Sequence, residues 1–490
     1  MAPTGGFPGF LLRWLRRAGA ALLVVGATIV ALRAFEARRP PYLKPWHRFV
    51  PPSEATAAQM TEAFTLEDYL RREEQVFREV RQNIQDRLAP EDRTGANRYF
   101  PESAASPERY PRDWNRTFEL VPPEIRGGAL LLHGLTDSPY SMRRLAELFR
   151  RRGFYVLALR MPGHGTVPGA LTKASWKDWL AATRVGARHV RRRVGDGKPF
   201  FLVGYSNGGA LAVKYSLDIL EGANLPKADR IVLLSPMIGV SPAAGLARFL
   251  GLLAVFPYFE KTRWLDVLPE YNPFKYNSFP AFAGRQTSEL TGAIQSQIAR
   301  LAGSGRIREL PPMLAFQSAM DATISADAVV SKLYALLEEN GSELVLFDLN
   351  RIATARPFLK PDDQRFLERL LPPGRRRFTL TVLTNASADK LEVVEQSTPA
   401  GSQTPAQRPL PLAWPPEVYS LSHVAVPFAP DDALYGGEPD PRQGGGIHLG
   451  TLAPRGERGV LTVSPGDFLR ITWNPFFPYL EERVGQWIGS

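Results

Sequence analysis

Residues 200–221 constrain the fold more than any other stretch. The apolar run Phe200, Phe201, Leu202 and Val203 leads into Gly204-Tyr205-Ser206-Asn207-Gly208-Gly209. Helical periodicity follows over 208–221. Gly-x-Ser-x-Gly between a strand and a helix is the pattern of a nucleophile elbow, a strained turn that projects the serine oxygen at a helix N-terminus. The flanking glycines leave room for the close backbone approach such a turn requires. The chain has no cysteine, so disulfides, thiolate metal sites and a cysteine nucleophile are excluded.

The elbow sits within a longer alternation. Apolar runs at 128–133, 155–160, 200–204, 231–234, 313–317 and 343–347 read as strands. Helical patterns at 139–152, 176–193, 208–221 and 327–339 fall between them. Buried apolar strands alternating with helices predict an α/β fold with a doubly wound, mostly parallel sheet. Two stretches interrupt the series. Residues 239–309 read as mostly helical and rich in aromatics, including Phe256, Trp264, Phe274 and Tyr276. Residues 350–417 contain a predicted β-hairpin, 378–383 with 391–396, and then a Pro/Ser/Gln-rich loop. The tail predicts two strands joined at 464–467, then a helix over 478–488. Upstream, 36–64 reads as a linker and 65–88 as a helix, with Thr65 and Asp68 spaced as a capping box.

Two further motifs close predicted strands: Leu131-Leu132-His133-Gly134-Leu135-Thr136 and Arg160-Met161-Pro162-Gly163-His164-Gly165-Thr166. With the elbow, they make the chain resemble the α/β-hydrolase family, and within it the monoacylglycerol-lipase-like and S33 serine-aminopeptidase-like hydrolases. The resemblance covers roughly 115–349 and 418–490. It implies that the backbone N–H groups of Leu135 and Asn207 form an oxyanion hole and that His133 is structural. His164 is read as a buttress of the site. The resemblance also places a cap at 239–309.

A serine nucleophile needs a base, and the base needs an orienting carboxylate. The family order is serine, acid, histidine. Asp321, just past the 313–317 strand, fits the acid, with Asp348 after 343–347 as the competitor. Of the six histidines, His423 lies downstream of every predicted core strand, in a setting that resembles the family's catalytic-histidine loop. His47 falls in the linker, His189 inside a helix and His448 in a Gly-rich loop. The 102 residues between Asp321 and His423 exceed the family's usual few tens. The 350–417 insertion accounts for the excess if it loops out from the sheet.

The net charge of +11 invites a nucleic-acid or membrane reading. Residues 1–52 alone hold eight cations and one anion, a net of +7, which leaves a nearly neutral body. That distribution argues against a nucleic-acid-binding body. The uncharged segment 18–32, flanked by Arg16, Arg17 and Arg33, is short for a spanning helix. Snorkelling of the flanking arginines can extend it. It reads as an uncleaved N-terminal anchor with the catalytic body on the exported side; a cleaved signal peptide and a buried helix of a soluble protein are the alternatives.

The expected organisation is therefore an anchor at 1–35, a linker and helical extension at 36–114, and a hydrolase domain at 115–490. The expected activity is cleavage of a lipid-like or acylglycerol ester by Ser206, His423 and Asp321, with no metal or organic cofactor implied. Aminopeptidase, amidase, thioesterase or acyltransferase chemistry on the same triad, and a non-catalytic binding protein of the same fold, are the alternatives.

Overall fold

The computed structural model describes residues 41–239, 260–261, 263–321, 323–354, 356–360, 366–371, 374–455 and 463–489, with scattered positions between 14 and 28. The anchor expected at 18–32 lies for the most part outside the described residues. Among the described residues no helix is long and apolar enough to cross a membrane.

A ten-stranded sheet organises the body. Its strands are β1 (Phe118–Leu120), β2 (Gly127–Leu132), β3 (Phe154–Leu159), β4 (Phe200–Tyr205), β5 (Arg230–Leu234), β8 (Met313–Ser318), β9 (Glu343–Phe347), β10 (Thr379–Asn385), β11 (Glu392–Thr398) and β12 (Ala406–Ala413). A separate antiparallel pair comprises β6 (Trp264–Asp266) and β7 (Phe279–Pro280). The order across the sheet is β1-β3-β2-β4-β5-β8-β9-β10-β11-β12. All neighbours from β3 to β10 are parallel, while β1 and the β10-β11-β12 edge run antiparallel.

The central strands are apolar along their length because both of their faces are covered. The side-chain period of two sorts each strand between the faces. Leu130, Leu132, Leu157 and Leu202 point into one core. That core is shared with α3 (Trp176–Val194), α4 (Asn207–Leu220), α5 (Ala281–Gly303) and α6 (Ala326–Lys332). Ala129, Leu131, Val156 and Val203 point into the other, against α2 (Arg143–Arg151) and α7 (Phe477–Gly489).

The N-terminal extension packs closely on this body. Helix α1 (Leu66–Val80) is capped by Thr65 and Asp68 and passes into a π-turn over Arg81–Gln85, ending short of the expected residue 88. The described part of the expected linker is also packed, since Trp46, Ala55 and Met60 are buried. Buried Arg160 ties the two parts together. It binds Glu54 through both terminal nitrogens at 2.9 and 3.1 Å and Glu73 at 3.1 Å. Removing one partner from such a buried ion pair typically costs about 3–5 kcal/mol.

Other expectations change. The 350–417 stretch does not loop out from the sheet. Its hairpin, β10 with β11, joins the sheet through parallel pairing of β10 on β9, and the Pro/Ser/Gln-rich loop contains β12. Leu380 and Val382 of β10 continue one core and Leu383 continues the other, so β10 is buried on both faces. At the tail, the expected junction of two strands at 464–467 is a short helix, Pro465–Phe468, capped by Ser464, whose hydroxyl accepts from Gly466 N–H; no strand follows it among the described residues, and 456–462, ahead of the junction, lie outside them. The 327–339 helix stops at Lys332 and continues as a 3-10 turn, Tyr334–Leu336. Within 239–309, positions 240–259 and 262 lie outside the described residues. Helix α5 is layered on α4, where Gln297 Nε2 donates to Asp218 Oδ1 at 3.0 Å.

Candidate active site

The elbow sits where β4 meets α4. Ser206 has φ 54° and ψ −115°, a left-handed conformation rarely adopted by a residue with a side chain. Crowding holds it there. A Cβ on Gly208 would lie 2.1 Å from Leu132 O, and one on Gly204 would lie 2.5 Å from Gly208 O. The two glycines therefore let the start of α4 press onto β2. Ser206 N–H donates to Leu234 O at 2.9 Å, fixing the turn to β5.

His423 occupies a short 3-10 turn, His423–Ala425, beyond β12. Its Nε2 lies 3.2 Å from Ser206 Oγ and its Nδ1 lies 2.9 Å from Asp321 Oδ2. The Tyr205 ring stacks on the imidazole, with centroids 5.3 Å apart. The turn is pinned from below, where Ser318 Oγ donates to Leu421 O at 2.7 Å. Asp321 follows β8, and its Oδ1 accepts from the N–H groups of Thr323 and Ile324, both at 2.8 Å. Its Oδ2 also accepts from Gln317 Nε2 at 3.1 Å. Burial pushes the Asp321 carboxyl up. The charge of His423, its hydrogen bond and the two backbone donors outweigh that and hold the group below its ordinary value.

Asp348 is committed elsewhere. It is ion-paired to Arg351 and accepts from Thr384 Oγ1 at 2.7 Å and from Leu349 N–H at 2.7 Å. The N–H groups of Leu135 and Asn207 form no hydrogen bond among the described residues, and Gly134 lies against Ser206. Thr136, next in that loop, has φ 61°.

A family model described as "Serine aminopeptidase, S33" matches residues 123–278. The chain has the α/β-hydrolase fold. It is 36% identical over 86 residues, 18% of its length, to the thermostable monoacylglycerol lipase of Bacillus sp. (strain H-257), and it spans about a third (33%) of that lipase. Among solved structures, one concerning the metagenome-derived lipolytic enzymes LipS and LipT is 24% identical. It covers 52% of this chain and 95% of its own, with a TM-score of 0.39. The monoglyceride lipase of Saccharomyces cerevisiae is 14% identical, covering 47% and 81% with a TM-score of 0.35.

The other histidines are occupied. His133 accepts from Met161 N–H at 3.0 Å through Nε2, and burial lowers its pKa to about 3. His164 is buried between the rings of His133 and Trp179. His47, in the expected linker, is buried against Ser278 Oγ at 2.9 Å and is likewise lowered to about 3 by burial. His189 meets Tyr155 OH at 3.0 Å, and His448 meets Ala433 O at 2.7 Å. Among the described residues no group of three or more His, Asp or Glu is arranged to hold a metal ion.

Sequence reasoning assigned no role to Tyr205, Gln317 or Ser318, although each touches the histidine, the acid or the loop between them. Tyr205 and Gln317 stood inside the quoted motifs. Their position at strand ends that converge on one site was the available signal.

Proposed function

We propose that the chain is a serine hydrolase that cleaves carboxylic esters, lipid-like or acylglycerol esters foremost. The carrying observation is the continuous line of hydrogen-bonding distances from Ser206 through His423 to Asp321. Ser206 Oγ attacks the carbonyl carbon while His423 Nε2 takes its proton. Asp321 holds Nδ1–H and balances the imidazolium charge. The N–H groups of Leu135 and Asn207 receive the oxyanion. Collapse breaks the bond to the alcohol, which leaves with the proton from His423. Water then repeats the sequence on the acyl-enzyme and releases the acid. The partial match to a monoacylglycerol lipase supports the ester class. The S33 description of the family model supports an amide alternative.

A fluorophosphonate probe is expected to label Ser206 covalently, and Ser206→Ala to lose roughly 10⁴–10⁶ in kcat. Folded protein that is not labelled would overturn the reading. Comparing acyl esters of graded length with aminoacyl amides separates the two substrate classes. The proposal includes attachment to a membrane through 18–32, with the body exported. Removing residues 1–35 is expected to release the body from the membrane fraction.

A further inference from the structure

Beside His423 lies a cavity of about 460 Å³ whose lining includes Val424, Tyr271, Asn272, Tyr435, Lys275 and Arg470. Val424 is the chain neighbour of the histidine. The segment bearing Lys275 is fastened to the oxyanion loop, since Tyr276 N–H donates to Thr136 O at 2.8 Å. Arg470 stands over the acid loop, with Nη2 3.5 Å from Thr323 Oγ1, and Thr323 N–H donates to Asp321. The cavity therefore borders the histidine turn, the loop of Leu135 and Thr136, and the acid loop.

Its charge is unusual for this protein, in which most partly buried cations are paired. The Lys275 ammonium is partly buried and forms no hydrogen bond or ion pair among the described residues. Arg470, which is exposed at the cavity rim, forms no ion pair among them either. The single carboxylate of the lining, Asp266, is exposed and has a contact of its own. Asp137, buried behind Lys275 in the oxyanion loop, does not reach ion-pairing distance of it, and Asp137 Oδ2 has no partner. Burial and the charge of Arg470 push the Lys275 pKa down against the opposing pull of Asp137. Two cations with free donors, converging on one cavity next to the histidine turn, match an anion in both charge and hydrogen-bonding capacity.

We propose that this cavity is an anion-binding subsite, in which Lys275 and Arg470 hold a carboxylate or phosphate carried by the ester substrate. The assignment rests on the serine-hydrolase reading for its substrate but not for its test. That test uses the full chain carrying Ser206→Ala, which cannot turn a probe over. Binding of glycerol 1-phosphate and of monomethyl succinate is measured by calorimetry, with and without Lys275→Gln or Arg470→Gln. At least one probe is expected to bind, and each substitution to weaken it about tenfold, as loss of a charge-assisted hydrogen bond does. Which probe binds distinguishes phosphate from carboxylate. No binding of either probe, or binding unchanged by both substitutions in folded protein, would overturn the subsite. Failure of the fluorophosphonate labelling would overturn the hydrolase reading separately.

Discussion

Strands β8 and β9 lie side by side in the sheet, and each runs directly into a loop that carries an aspartate. The two loops do different work. After β8, Asp321 turns one oxygen to backbone donors and the other to His423. After β9, Asp348 turns inward to Arg351 and Thr384. The second loop still serves the site through its backbone. Leu349 bridges Ser420, and Asn350 donates to Tyr419 O and Val418 O, both at 2.9 Å, so it holds the strand of chain that leads to His423. One loop orients the imidazole ring and the other fixes the path of the residue that bears it. The residue type is the same; its hydrogen-bond partners decide its role.

The comparison is most exposed to a pair of substitutions. Asp321→Asn is expected to lower kcat on a short-chain ester by about 10³–10⁴, because the amide cannot balance an imidazolium and favours the wrong tautomer. If Asp348→Asn alone abolishes turnover, the two loops have been assigned the wrong way round. Asp348→Asn should instead act on stability. Leaving Arg351 without its buried partner is expected to cost about 1–3 kcal/mol, read as a lower urea midpoint at unchanged slope. Gln317→Leu sharpens the first half of the contrast. Losing one donor to Asp321 is expected to lower kcat up to about tenfold with little change in KM. An equal change in KM and kcat would assign Gln317 to substrate contact. The smallest effect is on acid stability. Because the Asp321 carboxyl is held below its ordinary 3.8, its contribution to stability is present above that value. The contribution is lost as pH falls through the lower folded value. The stability difference between the natural chain and Asp321→Asn should therefore shrink below about pH 4, and a difference that persists to pH 2 would break the argument.

The two regions also differed in how far the sequence disclosed them. The elbow was legible because its chemistry is local: strand, Gly204, Ser206, Gly208 and helix are contiguous, and each constraint acts on the next residue. The sheet from β2 to β9 was legible because strands buried on both faces are continuously apolar. Beyond β9 the signal weakens. β12 contains Pro409 and Pro411, which read as loop, yet on an edge strand the missing donors cost little. The tail residues 464–467 read as a turn between strands, and the hydroxyl cap with a proline after it makes that turn helical. The linker assignment failed for a related reason. Pro- and Ala-rich composition describes a chain without periodicity, and such a chain can still be packed when single residues such as Glu54 and Trp46 find buried partners. No pattern pointed to Lys275, whose surroundings are assembled from segments almost two hundred residues apart.

The distance along the chain between Ser206 and His423 has one more consequence. It amounts to 217 residues, and every strand from β5 to β12 is encoded between them. At synthesis rates of about 5–20 residues per second, the elbow leaves the ribosome roughly 10–40 s before its base does. On the serine-hydrolase reading, the unfinished chain is therefore chemically inert towards the esters around it. The hydroxyl gains its reactivity only once the far edge of the sheet has been made and the histidine turn can close over it, so the order of translation itself serves as a safety catch.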